Sequence, residues 1–85
     1  MYQVFLTPFA IQDISEAAFW YQDKKQGLGK AFTQKIRECI GIIKNNPSAF
    51  PIRYDEVRTA LVETFPFMIH YTIQEEENQI LVLAV

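Results

Sequence analysis

The sequence predicts an α+β fold of two layers, β-α-α-β-β-β, with a helical hairpin packed on one face of a mainly antiparallel sheet. Two long stretches in its first half repeat apolar residues at helical spacing, and Gly27 separates them. The second half consists of short extended runs divided by prolines and polar turns. A helix with one apolar stripe and a sheet with one apolar face each need a partner, and the two-layer sandwich supplies both.

The first strand is residues 2–6, where Tyr2, Val4 and Leu6 alternate with Gln3 and Phe5. Thr7-Pro8 then starts a helix: a hydroxyl at the N-cap, followed by a residue whose missing N–H costs nothing there. Ala10, Ile14, Ala17 and Tyr21 form its stripe, widened by Ile11 and Ala18. Asp13 and Glu16 are placed near the positive helix end, Lys24 and Lys25 near the negative one. Gly27 closes the helix as a residue tolerant of positive φ.

The second helix is expected over residues 28–45. Leu28, Phe32, Ile36, Cys39, Ile40 and Ile43 fall on one stripe, with Lys30, Gln34, Arg37, Glu38 and Lys44 outside it. Asn45-Asn46-Pro47 stops it, because proline disfavours helix at the residue before it. Residues 47–56 read as a loop. Strands follow over residues 57–63, 66–74 and 79–85, the last two joined as an antiparallel hairpin by the polar turn 75–78. In the middle one, Phe67, Ile69, Tyr71 and Ile73 share a face opposite Met68, His70 and Thr72.

An 85-residue chain is one domain, residues 1–85. A chain this short buries roughly 60–65% of its unfolded surface, so its seven Phe, four Tyr and one Trp are needed to build a core. That aromatic content and a net charge of −2 exclude intrinsic disorder. The longest apolar run, 80–85, is six residues, far short of a transmembrane helix. No secretory signal pattern opens the chain, and with one cysteine the expected location is the reducing cytoplasm. Eight basic against ten acidic side chains give no overall attraction to nucleic acid. No metal or cofactor motif is present.

Several side chains are candidates for chemistry. His70, the only histidine, is predicted on the open sheet face, where it would serve as an acid or base near neutral pH or stand as an ordinary strand residue. Cys39 lies among isoleucines and reads as inert core. Arg53 and Arg58 flank the start of a strand beside Tyr54, a combination suited to holding a phosphate and stacking on a base. Pairing of Arg58 with Asp55 or Glu56 locally, or with a helix carboxylate, is the structural alternative. Trp20 and Tyr21, with Phe19, make the first helix aromatic on more than one side and suggest a partner surface. The apolar last strand, with Leu81 and Leu83, would pair with another chain if it lay at a sheet edge, or be covered if central.

An ordered set of these residues resembles the RelE/ParE toxin superfamily, closest to the ParE-like plasmid-stabilisation proteins. It comprises Ala10, Asp13-Ile14, Trp20-Tyr21, Leu28-Gly29, Phe32, Ile36, Asn46-Pro47, Phe50-Pro51, Arg58, Phe65-Pro66-Phe67, Tyr71 and residues 80–85. The resemblance implies a toxin of a type II toxin–antitoxin module, neutralised by a cognate antitoxin, needing no cofactor. ParE-like members inhibit DNA gyrase; RelE-like members cleave mRNA on the ribosome with basic and hydroxyl side chains. Arg58 matches a basic position that recurs at this strand start. Family members usually continue past the last strand into a tail carrying a histidine, an arginine and a proline, and the sequence reaches Val85 without one. RelE-type side chains of that region have no counterpart here, and the acidic balance is unfavourable for a nuclease approaching ribosomal phosphate. The expected function is thus ParE-like binding of a target such as gyrase. A ribosome-dependent endonuclease and a non-toxic module that binds or self-associates as a homodimer are the alternatives.

Overall fold

A computed structural model describes residues 1–85. Its elements are β1 (Gln3–Leu6), α1 (Pro8–Lys24), α2 (Leu28–Asn45), a 3₁₀ turn (Pro47–Ala49), β2 (Ile52–Tyr54), β3 (Val57–Leu61), β4 (Met68–Gln74), a second 3₁₀ turn (Glu75–Glu77) and β5 (Gln79–Ala84). The sheet order is β1-β5-β4-β3-β2. β1 runs parallel to β5, with Phe5 beside Leu81, and the other pairings are antiparallel. The α+β sandwich expected from the sequence is the observed architecture.

Thr7 starts α1 as its chemistry suggests. Its hydroxyl oxygen accepts the Ala10 N–H at 3.1 Å and the hydroxyl donates to the Leu83 carbonyl at 2.9 Å, so one side chain caps the helix and ties it to β5. Asp13 and Glu16 do not serve the helix dipole, because α1 begins at Pro8 and both lie beyond the first turn, where that field decays. Asp13 instead accepts the Val85 N–H at 3.1 Å, and Glu16 accepts the Gln12 amide at 3.2 Å. The hairpin turns at Gly27, φ 90°, and the Gln22 side-chain oxygen accepts the N–H groups of Gly27 and Gly29. At Gly29 the helices touch: a Cβ there would lie 2.6 Å from the Ala18 carbonyl oxygen.

The core forms where the two stripes meet the sheet. Ala10, Phe32, Ile36, Cys39 and Ile43 from the helices enclose Ala60, Val62, Phe65, Ile69, Tyr71, Ile80 and Val82. Tyr21 lies inside this layer, with ring centroids 4.9 Å from Phe65 and 5.4 Å from Phe32. Edge-to-face clusters of this kind add to the area they bury.

The structure also corrects the sequence reading of the strands in two places. The expected loop 47–56 contains a strand, β2. Its three residues are too few to show a period, all are exposed, and a turn with positive φ at both Asp55 and Glu56 holds it against β3. The flanking strands are shorter than expected. β3 stops at Leu61, after which Thr64 takes φ 78°, and Pro66 offers no N–H while the Phe67 N–H is spent on Phe65. Of the two positions left open for β5, the structure takes the internal one, paired by β1 on one side and β4 on the other. Its apolar run is the signature of a covered central strand, so self-association by edge pairing of residues 80–85 is not available.

Candidate functional site

Two surfaces carry the candidate residues, one on each side of the sandwich. On the open face of the sheet, Thr59 and His70 are directly opposed across β3 and β4. The Tyr54 hydroxyl lies 3.2 Å from His70 Nδ1, and Arg53 Nε donates to the Thr59 hydroxyl at 3.1 Å. β2 thus brings Arg53 and Tyr54 over β3 to meet His70, a convergence that the missed strand hid from sequence reasoning. Leu81 belongs to the same face, because its neighbours Ile80 and Val82 point into the core, and Phe5 stands beside it. Leu83 sits where the β4–β5 register slips between His70 and Tyr71, with its carbonyl held by Thr7.

Arg58 is not part of this cluster. It shares the helix-side face with Ala60, and its guanidinium donates to the carbonyls of Phe50 and of Ser48, the latter at 3.2 Å. Tyr71, its cross-strand neighbour, donates to the Pro47 carbonyl at 2.6 Å. These two side chains fasten the segment after α2 to the sheet. Burial pushes the Tyr71 hydroxyl above its ordinary pKa, against a smaller opposing pull from Arg58. Cys39 is buried against the Leu61 carbonyl, and burial likewise raises its thiol pKa, which disfavours the nucleophilic thiolate. No three metal-ligating side chains converge anywhere in the chain.

The second surface is the outer side of the helical hairpin. A groove of about 610 Å³ runs between α1 and α2, floored by Ile11, Ile14, Ala18 and Phe19 and walled on the other side by Gly29, Lys30 and Thr33. It adjoins a second hollow that takes in Glu16, Trp20 and Asp23. Phe19 is 79% exposed, Phe9 75% and Trp20 56%, so three aromatic rings of α1 stand in water. Trp20 is held by the Tyr21 ring and by Lys24, whose ammonium lies 5.0 Å over it. Of the two residues expected to form this surface, Trp20 does so and Tyr21 turns inward. Phe19, named with them, is exposed as expected; Ile11, read as widening the buried stripe, is instead 55% exposed, and Phe9 was overlooked. The signal for Phe9 was available: it is an apolar residue on α1 outside the stripe that the sheet requires.

Residues 4–85 match the sequence model of a family described as the ParE toxin of the type II toxin–antitoxin system parDE. The chain belongs to the ParE toxin family. In fold it is similar to a solved structure described as a chromosomal ParDE TA system from P. aeruginosa, with a TM-score of 0.74 at 18% identity over 99% of this chain and 92% of that one. No curated protein matches the sequence. The family assignment agrees with the resemblance carried by the motif set above, and no ParE-family helix here is long and apolar enough to cross a membrane.

Proposed function

We propose that this chain is a cytoplasmic ParE-type toxin that acts by binding a cellular target such as DNA gyrase, and that a cognate antitoxin silences it by laying a segment in the groove between α1 and α2. The observation that carries the docking reading is the apolar groove itself, lined by Ile11, Ile14, Ala18 and Phe19, of which Ile11 and Phe19 are more than half exposed. A helix laid in an apolar groove is a recurrent mode of peptide recognition. The target reading draws its support from membership of the ParE family. Arg58 favours binding over RNA cleavage: the one arginine expected at a family basic position spends its guanidinium on two backbone carbonyls.

A second reading, RNA cleavage in the RelE manner, is favoured by the meeting of Arg53, Tyr54, Thr59 and His70 on the open face. Inducible expression separates the two. Growth arrest with intact transcripts, relieved by the product of the neighbouring gene, supports target binding. Translation-dependent cutting that is lost in His70→Ala or Tyr54→Phe supports cleavage. In the Ile11→Ala/Phe19→Ala variant, whose sites are both more than half exposed, rescue by the neighbouring product should fail while toxicity persists. Undiminished rescue would rule out the groove as the docking site.

A further inference from the structure

The groove between α1 and α2 carries its charge at one end. Leu6, Ile11 and Ile14 line it near the start of α1, and all are apolar. At the other end the hairpin sets the first turn of α2 beside the later half of α1, with Gly29 against the Ala18 carbonyl. There Lys30 is the groove's one charged residue. Glu16 and Asp23 line a separate hollow beyond Phe19.

Lys30 has no ionic partner within the chain, since both salt bridges of the protein belong to Lys35. Its neighbours three and four residues away are Gln26, Gly27, Thr33 and Gln34, none of them acidic. The polar groups beside it are already spent. The Gln22 oxygen accepts the N–H groups of Gly27 and Gly29, and the Thr33 hydroxyl donates to the Lys30 carbonyl. Lys30 also stands in the first turn of α2, where the helix field disfavours a cation, and that turn holds no acidic residue to offset it. A local preference broken without internal compensation is the mark of a residue that answers to something outside the chain.

We propose that the groove takes an amphipathic helix whose apolar ridge follows Ile11, Ala18 and Phe19 and whose acidic side chain meets Lys30 at the end of that ridge. This rests on the docking reading above and deepens it, naming the charge of the occupant and the residue that reads it. From Ile11 to Gln22 the α1 wall measures roughly 16 Å, about three helical turns, so the acidic residue belongs at one end of the docked stretch. A carboxylate there meets the ammonium and the positive end of α2 together. A basic side chain at the same place is repelled by both. An exposed pair of this kind adds modest affinity and larger discrimination against the wrong charge.

The test uses three stapled helical peptides of about three turns that share one apolar ridge and differ only in the last turn, which carries Glu, Gln or Lys. Calorimetric titration of the parent chain at low salt should rank the affinities Glu over Gln over Lys, with roughly two- to fivefold between neighbours. Lys30→Glu should reverse that order, and Lys30→Gln should level it. Lys30 is exposed, and Lys30→Glu places an acidic residue where the helix field favours one, so the fold is not at stake. Equal affinities for the three peptides, or a ranking that Lys30→Glu leaves unchanged, overturns the proposal. Binding that is absent for every peptide, or equally tight in Ile11→Ala/Phe19→Ala, overturns the docking reading itself, and with it the role of Lys30.

Discussion

Tyr71 reaches from the middle of β4 to the Pro47 carbonyl, 2.6 Å away, and so pins the chain's exit from α2 onto the sheet. Beside it, Arg58 holds the next carbonyls, those of Ser48 and Phe50. A buried tyrosine and a half-buried arginine thus satisfy backbone groups that a three-residue 3₁₀ turn cannot satisfy for itself. This pair explains why an Asn-Pro and a Phe-Pro step can stand next to a central strand without loosening it.

Removing the Tyr71 hydroxyl should leave the Pro47 carbonyl unpaired in the core. Tyr71→Phe is expected to lower stability by roughly 1–2 kcal/mol, which thermal unfolding would register as a drop of about 4–16 °C for a domain of this size. An unchanged melting temperature would mean that water replaces the bond.

Arg58 is expected to behave as a structural residue and His70 as a surface one. Arg58→Ala forfeits two charge-assisted bonds to carbonyls and should cost roughly 2–3 kcal/mol. His70→Ala and Tyr54→Phe should each stay within about 0.5 kcal/mol, the range of surface changes. Circular dichroism melts of the three variants check the contrast.

Alkaline pH should weaken the fold. Burial raises the pKa of both Tyr71 and Cys39 in the folded state. Their contribution is full below the unfolded values of about 8.5 and 10, and it is lost as rising pH ionises the unfolded chain first. Melting temperature should therefore fall steadily above pH ~9, less steeply in Tyr71→Phe. A thiol reagent should modify Cys39 slowly in the native protein at pH 8 and rapidly once it is unfolded.

Two of the glycines should answer alanine oppositely. At Gly29 a Cβ meets the Ala18 carbonyl oxygen at 2.6 Å and Gln22 Cβ at 3.0 Å, so Gly29→Ala must push the helices apart and destabilise. At Gly41 nothing lies within 4 Å, and Gly41→Ala should gain roughly 1 kcal/mol from helix propensity alone. Denaturant titration of both variants reads the signs directly.

Thr64 holds φ 78°, a conformation strongly disfavoured for a β-branched side chain. Thr64→Gly should raise stability by up to about 1 kcal/mol, the relief of strain offset in part by glycine's freedom when unfolded. A decrease would show that the Thr64 side chain supplies compensating contacts.

Long periodic elements were legible in the sequence, because a stripe such as Phe32, Ile36, Cys39 and Ile43 repeats often enough to declare its period and its buried face. β2 was not, since Ile52-Arg53-Tyr54 is too short to have one and depends on pairing with β3. The same gap hid the meeting of Tyr54 with His70, which needs both strands in register. His70 itself was placed correctly on the open face by alternation alone. Tyr21 was read both in the buried stripe and as a partner-surface candidate; the stripe reading holds, because the aromatic loop Phe65–Phe67 covers its ring. The internal position of β5 follows from its parallel partner β1, a pairing far apart in sequence that no local signal announces.

The most direct test of the toxin reading is inducible expression with two parallel readouts, gyrase-linked DNA breaks and transcript integrity. Growth arrest with trapped gyrase–DNA complexes and intact transcripts, abolished by co-expressing the neighbouring gene's product, is the result expected. Harmless expression, or arrest accompanied by translation-dependent transcript cleavage without DNA breaks, would contradict it.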